Sequence, residues 1–137
     1  MKQYFHRYKK LGDYALHQVF SGHFRHFYPC VPVPIFNGSE NDKTFSPVEA
    51  LLVPQHIVHL LEKTTPIKQS QRTLYQRLHS SNPFSWTGTE KIPSRIVLVD
   101  DIYTTGMTLH QAALLLKENG VREVHGVCLA ETLSKKV

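Results

Sequence analysis

One stretch of the sequence decides the fold, and it reads Ile96-Val97-Leu98-Val99-Asp100-Asp101-Ile102-Tyr103-Thr104-Thr105-Gly106-Met107-Thr108. Its first four residues are apolar and three of them are β-branched, which predicts a strand buried on both faces. We expect this strand to end where the carboxylates of Asp100 and Asp101 begin, because unpaired charge is costly to bury. The carboxylates are therefore predicted at the carboxyl end of a strand, the edge at which open α/β sheets bind ligands.

A hydroxyl-rich loop follows the carboxylates and leads into a predicted helix. Thr104, Thr105 and Thr108 offer hydroxyl donors, and the free N–H groups of a helix N-terminus attract phosphate. Gly106 allows the backbone to approach an anion closely. Carboxylates accept hydrogen bonds from vicinal hydroxyls such as those of a ribose. The sequence contains neither a Walker loop nor the glycine triplet of a dinucleotide site, so the stretch predicts a site for a sugar phosphate.

The C-terminal part of the chain, residues 96–130, predicts a βαβ unit. The strand 96–100 and the loop are followed by helical periodicity from about Thr108 to Asn119. Gly120 ends that helix, and a second strand covers residues 123–129. A crossover of this kind joins parallel strands through a right-handed connection. The predicted fold class is therefore α/β, with an open, mainly parallel sheet flanked by helices.

The remaining sequence is predicted to complete a single domain over residues 1–137. Residues 1–28 form its helical N-terminal part, with one apolar face that we expect in the core. That face carries Leu16, Val19, Phe20, Phe24 and Phe27. Cys30 to Ile35 predicts a short strand whose prolines place its later part at a sheet end or edge. Residues 48–62 show helical spacing that Pro54 must kink or restart.

Positive charge is concentrated in one segment of a chain whose net charge is +5. Residues 64–95 are predicted to form a basic, flexible loop, because they are irregular and only Ser70 to His79 has helical spacing. Such a loop would concentrate a phosphate-rich ligand, and it would equally suit nucleic acid. Charge alone therefore leaves both ligand classes open.

The sequence has no signal for secretion, membrane insertion or metal binding. It contains no secretory signal and no apolar run of about eighteen residues, so we expect no membrane insertion and a cytoplasmic location. Cys30 and Cys128 lack metal-ligand spacing and are expected to be core thiols. The pair His56 and His59 is expected to lie on an ordinary helix face and to hold no metal.

The stretch from Ile96 to Thr108 resembles the 5-phosphoribosyl-1-pyrophosphate signature of type I phosphoribosyltransferases. The resemblance implies a type I phosphoribosyltransferase fold, with its open, mainly parallel sheet flanked by helices. It also implies that Asp100 and Asp101 hold the ribose 2′- and 3′-hydroxyls and orient the sugar during catalysis. The 5′-phosphate would be held by the loop residues Thr104, Thr105, Gly106, Met107 and Thr108. Mg²⁺ is implied as cofactor, brought by the ligand and not held directly by protein side chains.

A narrower resemblance runs from about Tyr8 to Ala130 and is to the ComF family of competence proteins, which carry an amidophosphoribosyltransferase-like domain. It rests on Tyr8-Lys9-Lys10-Leu11-Gly12-Asp13, on Val31-Pro32-Val33-Pro34, and on Lys68-Gln69-Ser70, Arg77-Leu78 and Asn82-Pro83-Phe84. The resemblance implies a role in natural competence and DNA uptake. A helicase-like ComF partner and single-stranded DNA are the partners it suggests. Many members begin with a cysteine-rich zinc ribbon; this sequence has no cysteine before Cys30, so we expect a shortened form or one that dispenses with zinc.

The sequence departs from the ComF pattern at one segment. Lys43-Thr44-Phe45-Ser46-Pro47 stands where the family usually has Arg-Gly-Phe-Asn-Gln, at the place where such enzymes contact pyrophosphate. The change removes a bidentate guanidinium and a flexible glycine. Pyrophosphate contacts would then rest on the basic residues Lys43, Lys68, Arg72 and Arg77.

Two functions therefore stay open. The first is an Mg²⁺-dependent phosphoribosyltransferase, whose acceptor the sequence does not reveal. The second is a non-catalytic scaffold or a module that binds single-stranded DNA or protein, with Tyr75 and Trp86 as aromatic residues within the basic segment.

Overall fold

The computed structural model describes residues 14–34, 46–64, 82–88 and 91–132. Several sequence predictions fall outside these residues and stay predictions. They concern residues 1–13, Lys43, Lys68, Arg72, Arg77, Tyr75 and the helical spacing from Ser70 to His79.

The described residues contain two α-helices, two short 3-10 turns and five strands. In chain order these are α1 (Tyr14–Phe24), β1 (Cys30–Pro32), the 3-10 turns Glu49–Leu51 and Pro54–His56, β2 (Leu61–Lys63), β3 (Phe84–Trp86), β4 (Arg95–Tyr103), α2 (Met107–Glu118) and β5 (Glu123–Glu131).

A parallel sheet of order β1-β4-β5 forms the centre of the described fold. The apolar residues that begin the signature lie in β4, between the two other strands, and Ile96, Leu98 and Val99 are fully buried there. On one side, Cys30 of β1 pairs with Val97. β1 is an edge strand of the described sheet and ends at Pro32, earlier than the strand from Cys30 to Ile35 that the sequence predicts. The sheet and its flanking helices confirm the predicted α/β class.

The predicted βαβ unit is confirmed. β4 continues through α2 into β5, and these two strands pair in parallel from Arg95 opposite Glu123. Ala112 and Leu116, four residues apart on α2, are buried against the sheet together with Ile96 and Leu98. Beyond α2, Gly120 adopts a φ of +100°, the left-handed conformation that a helix stop favours.

The opposite face of the sheet is covered by α1 and the two 3-10 turns. Phe20 and Phe24 of α1 are buried in a cluster with Val99 and the leucines of the first turn. Val19, which the sequence predicts in the core, is instead 59% exposed, and this prediction is wrong. Phe20 and Phe24 are four residues apart and share the buried face, so Val19, one position before Phe20, is turned towards solvent.

Two further predictions, on the end of β4 and on residues 48–62, need correction. β4 does not end at the carboxylates but continues to Tyr103, so Asp100 and Asp101 lie inside the strand near its end. Residues 48–62 do not form an α-helix: Pro54 begins a second 3-10 turn, and β2 follows. Proline at the first helical position loses no hydrogen bond, which explains why the second turn starts there.

The predicted loop 64–95 also contains regular structure. β2 and β3 pair in antiparallel fashion, with Leu61 opposite Trp86 and Lys63 opposite Phe84. Phe84 is buried in the core on the α2 side of the sheet, and Trp86 is partly buried against the same core. The ends of the basic segment are thus attached to the body of the fold.

Candidate functional site

The two predicted carboxylates lie at the carboxyl end of the central strand. Asp100 pairs across the sheet with Cys128 of β5, and both aspartates are partly buried. Each carboxylate accepts a hydrogen bond from the next backbone N–H. Asp101 N donates to Asp100 Oδ1 at 2.8 Å, and Ile102 N donates to Asp101 Oδ1 at 2.7 Å. These short bonds fix the position of both acidic groups before any ligand arrives.

Burial makes the Asp100 carboxylate costly to ionise. Its pKa is raised to about 6, first by removal from water and then by the negative charge of Asp101. The hydrogen bond from the Asp101 N–H and the positive charge of Lys63 act in the opposite direction. A buried carboxyl with a raised pKa beside a second carboxyl is typical of functional sites.

The surroundings of the Cys128 thiol make it unreactive. Its pKa is raised to about 11 by burial and by the charges of Asp100 and Asp101. Cys30 is fully buried in the core, and burial raises its pKa as well. Both sulfurs therefore stay protonated thiols at neutral pH, which does not suit a nucleophile.

The predicted phosphate loop makes a tight turn into α2. Gly106 precedes the helix with a φ of +73°, in the left-handed region that glycine adopts at no steric cost. Its carbonyl accepts the N–H of His110 at 2.9 Å, the first bond of the helix. Thr105 Oγ1 accepts the N–H of Met107 at 3.4 Å, and the side chains of Thr104 and Thr105 are exposed. The loop thus presents accessible hydroxyls beside a helix N-terminus.

Tyr103 closes one side of this turn. A Cβ atom built on Gly106 would lie 2.7 Å from the Tyr103 hydroxyl oxygen and 2.8 Å from Cε2 of the ring. The ring therefore lies directly against the backbone of the loop. In the sequence, only the place of Tyr103 within the signature distinguishes it from other tyrosines.

The sequence profile described as Phosphoribosyl transferase domain matches residues 61–137, more than half of the chain. The chain belongs to this family.

Two curated relatives of this phosphoribosyl transferase family member carry the name Competence protein ComFC. The one from Streptococcus pneumoniae (strain ATCC BAA-255 / R6) is 33% identical over 132 residues, which is 90% of this chain and 60% of that protein. The one from Bacillus subtilis (strain 168) is 35% identical over 133 residues, which is 88% of this chain and 55% of that protein. The chain thus spans about 55 to 60% of the length of these relatives.

A solved structure of a hypoxanthine phosphoribosyltransferase from Staphylococcus aureus is also similar. It has a TM-score of 0.43 and 16% sequence identity, and the alignment covers 96% of this chain and 65% of that one.

The family match includes some of the predicted site residues and not others. Asp100, Asp101 and the loop from Thr104 to Thr108 lie within the matched residues, whereas Lys43 precedes them. Lys68, Arg72 and Arg77 are within the match but outside the described residues. The structure therefore brings the carboxylates and the loop together, and the four basic residues stay predictions.

Lys63 acts on the candidate site although it is not among the site residues predicted from the sequence. It is the last residue of β2, is partly buried, and is the one described cation whose charge lowers the pKa of Asp100. In the sequence Lys63 is one of several basic residues, and nothing there distinguishes it from the others as a neighbour of Asp100.

The strand pair β2–β3 is joined to α2 by hydrogen bonds. Asn82 Nδ2 donates to the carbonyl oxygen of Gln111 in α2 at 2.8 Å, and Asn82 Oδ1 accepts the N–H of Phe84 at 3.0 Å. The Thr64 N–H donates to the Pro83 carbonyl at 3.0 Å. These bonds join the residues on either side of 65–81 to each other and to α2.

The described residues show neither a metal centre nor a membrane-spanning helix. No group of three or more His, Cys, Asp or Glu side chains in this part of the chain is placed to hold a metal ion. His56 Nδ1 instead contacts the carbonyl of Phe27, and His59 pairs with Glu49 at 3.3 Å. None of the described helices is long and apolar enough to cross a membrane.

Proposed function

We propose that this phosphoribosyl transferase family member binds 5-phosphoribosyl-1-pyrophosphate, or a related ribose phosphate, at the end of β4. The observation that carries the proposal is the direct succession of two fixed carboxylates and a Gly106 turn at the start of α2. Acceptors for sugar hydroxyls and donors for a phosphate are thereby adjacent on one edge of the sheet.

Asp100 and Asp101 would accept hydrogen bonds from the 2′- and 3′-hydroxyls of the ribose. Their backbone bonds leave them little freedom to turn, so the sugar would be held in one orientation. The loop from Thr104 to Thr108 would hold the 5′-phosphate through its hydroxyls and backbone N–H groups. Lys63, beside Asp100, adds positive charge on the same side of the site.

Mg²⁺ would enter this site on the ligand. Mg²⁺ prefers oxygen ligands and is usually bound through substrate phosphates, while protein carboxylates supply few of its contacts. The carboxylate pair is compatible with this arrangement, because it can orient the ribose without having to enclose the ion. The chemistry that the ion supplies is neutralisation of the pyrophosphate charge.

The reaction we propose is transfer of the phosphoribosyl group. The bond between the anomeric carbon and the pyrophosphate oxygen breaks, and pyrophosphate leaves with the bonding electrons. An acceptor nucleophile, an amine, a base nitrogen or water, forms the new bond to that carbon and loses a proton. Asp100 and Asp101 would stabilise the sugar as positive charge develops on it, and Lys43, Lys68, Arg72 and Arg77 would contact the departing pyrophosphate.

The setting we propose is natural competence in the cytoplasm. It is supported by the name Competence protein ComFC of the two curated relatives, which the chain matches over 88 to 90% of its own length. A helicase-like ComF protein and single-stranded DNA are the partners that we propose for that setting.

The test is a calorimetric titration of 5-phosphoribosyl-1-pyrophosphate into the protein with Mg²⁺ present, compared with the double variant Asp100→Asn, Asp101→Asn. We expect saturable binding by the unmodified protein and its loss in the variant, with both proteins folded by circular dichroism. Absence of binding by the unmodified protein would remove the proposal. Equal binding by the double variant would remove the assignment of the site.

A second function is favoured by one observation. The departure at Lys43-Thr44-Phe45-Ser46-Pro47 from the ComF pattern removes groups that suit pyrophosphate, as a non-catalytic scaffold or DNA-binding module would allow. Its test is an oligonucleotide titration at several salt concentrations. DNA binding through the basic segment predicts an affinity that falls steeply with salt, and less steeply after Arg72→Gln with Arg77→Gln. No affinity for the oligonucleotide at low salt would exclude the DNA-binding form of this function.

A further inference from the structure

Tyr103 stands in the chain between the two carboxylates and the predicted phosphate loop. It is the last residue of β4, and Thr104 begins the loop directly after it. Its backbone is held on the sheet, where the Tyr103 carbonyl accepts the N–H of Thr132 at 2.8 Å. The direction of the side chain is therefore set by the end of the strand and not by the loop.

The ring crosses the turn at Gly106 with its hydroxyl nearest to the backbone. The three atoms closest to a Cβ built on Gly106 are the hydroxyl oxygen, Cε2 and Cζ of Tyr103, at 2.7, 2.8 and 3.0 Å. A side chain at Gly106 would therefore require the Tyr103 ring to move. The phenol group and the loop backbone thus form one continuous surface at the start of α2.

The Tyr103 hydroxyl takes no part in the hydrogen bonding of the described residues. It makes no hydrogen bond to any part of the chain that the structure describes, and the residue is 39% exposed. Tyr103 also lines an open cavity of about 560 Å³, together with Leu109, Gly126 and Cys128. A phenylalanine would keep the ring atoms Cε2 and Cζ against Gly106 and would lose only the contact of the hydroxyl oxygen.

We propose that the Tyr103 hydroxyl is a further ligand-binding group of this site and donates a hydrogen bond to the 5′-phosphate of the bound sugar. The inference rests on the proposed function, because it takes the loop from Thr104 to Thr108 as the phosphate site. A phenol is a strong donor, and its bond to a charged phosphate oxygen is stronger than a bond between neutral groups. The group would add a donor from the strand to those that the loop and the helix supply.

The test is Tyr103→Phe, which removes the hydroxyl and keeps the ring over Gly106. Ribose 5-phosphate is titrated into the unmodified protein and the variant by calorimetry. We expect the variant to bind about tenfold or more weakly, the effect of losing a hydrogen bond to a charged group. Its urea unfolding midpoint should be unchanged, because the hydroxyl has no partner within the described fold. Tyr28→Phe is the matched control, since Tyr28 is 68% exposed and precedes β1 at the opposite edge of the sheet.

A double-mutant cycle with Asp100→Asn distinguishes a phosphate contact from a sugar contact. Additive losses support the phosphate contact, whereas a loss that disappears in the Asp100→Asn background would place the hydroxyl on the ribose and overturn the assignment. Equal binding by Tyr103→Phe and the unmodified protein would overturn this inference and leave the proposed function intact. Absence of ribose 5-phosphate binding by the unmodified protein would overturn both.

Discussion

At the scale of single residues, the buried charge of Asp100 lowers the stability of the fold, while the proposed ribose binding requires that carboxylate. Its pKa of about 6 in the folded protein lies above the value of 3.8 for a free side chain. Between these two values the native state binds more protons than the unfolded state, so the free energy of unfolding falls as pH rises from about 4 to 6. Above that window the full penalty for the buried charge is present.

Asp100→Asn should therefore stabilise the protein at pH 7 while it weakens ribose binding. The asparagine oxygen still accepts the Asp101 N–H, and the buried charge is gone. The gain has an upper limit of about 3 kcal/mol, at about 1.4 kcal/mol for each pKa unit. Urea unfolding at pH 4 and at pH 7 measures it, and the two proteins should differ least at the lower pH. If the variant is less stable than the unmodified protein at pH 7, burial of the Asp100 charge does not destabilise the fold.

Two glycines of the described residues have a positive φ and offer a matched pair of substitutions. Gly106→Ala combines a strained backbone at φ +73° with a contact of less than 3 Å to the Tyr103 ring. Gly120→Ala is also strained, at φ +100°, but its new methyl group meets open space. We expect a loss of about 1 to 2 kcal/mol at Gly120, and a larger loss at Gly106 because Tyr103 must move.

The two alanine variants should differ most in ligand binding. Gly120 lies beyond the far end of α2, so ribose 5-phosphate should bind its variant as it binds the unmodified protein. Gly106→Ala should bind at least tenfold more weakly, because the turn that presents the loop is displaced. Calorimetric titration at equal folded fractions measures both. Equal affinities for the two variants would show that the Gly106 turn is not part of the ligand site.

At the scale of elements, the bond between Asn82 and Gln111 holds β3 against the phosphate-loop helix. Asn82→Asp keeps the oxygen that accepts the Phe84 N–H, but it replaces the donor to the Gln111 carbonyl with a charged acceptor. We expect the free energy of unfolding to fall by about 1 to 3 kcal/mol. Hydrogen exchange should accelerate at Thr87, whose N–H donates to Leu60 across the strand pair.

Asn119→Asp is the control for that prediction. Asn119 Nδ2 also donates to a helix carbonyl at 2.8 Å, that of Leu115, but both residues belong to α2 and its end. The control should lower stability without a selective effect on Thr87. If exchange at Thr87 changes equally in the two variants, Asn82 does not couple β3 to the helix.

The long elements of this fold could be predicted from sequence and the short ones could not. α2 and β5 have enough residues for their periodicity to be recognised, and their observed bounds lie within two residues of the predicted ones. β2 and β3 have three residues each, which is too few for a period, and their pairing is set by contacts across the basic segment. The 3-10 turns at residues 49–56 have helical spacing in sequence, and only the position of Pro54 indicated the break.

The candidate site shows the same division between local and long-range information. Asp100, Asp101 and the Gly106 turn are neighbours in sequence, so one motif was sufficient to predict them. Lys63 acts on Asp100 from a distant strand, and the sequence contains no sign of that approach. The hydroxyl of Tyr103 lies within the motif, but its contact with the turn depends on how far β4 extends.

At the scale of the whole molecule, two groups of basic residues have different expected roles. Lys68, Arg72 and Arg77 belong to the segment whose ends, Thr64 and Pro83, are joined near the site. A second basic group lies at the amino edge of the sheet, opposite the carboxylates. It comprises Arg95 at the start of β4, Lys117 in the last turn of α2 and Arg122 before β5.

Neutralising Lys68, Arg72 and Arg77 should affect the affinities for 5-phosphoribosyl-1-pyrophosphate and ribose 5-phosphate differently. The variant with Lys68, Arg72 and Arg77 replaced by glutamine should bind 5-phosphoribosyl-1-pyrophosphate at least tenfold more weakly, because its pyrophosphate loses charged donors. Ribose 5-phosphate has no pyrophosphate, so its affinity should change by less than about threefold, the residual effect of overall charge. The control replaces Arg95, Lys117 and Arg122 by glutamine and removes the same net charge. It should weaken both ligands equally and slightly, and a tenfold loss in the control would mean that overall charge, and not the basic segment, attracts the pyrophosphate.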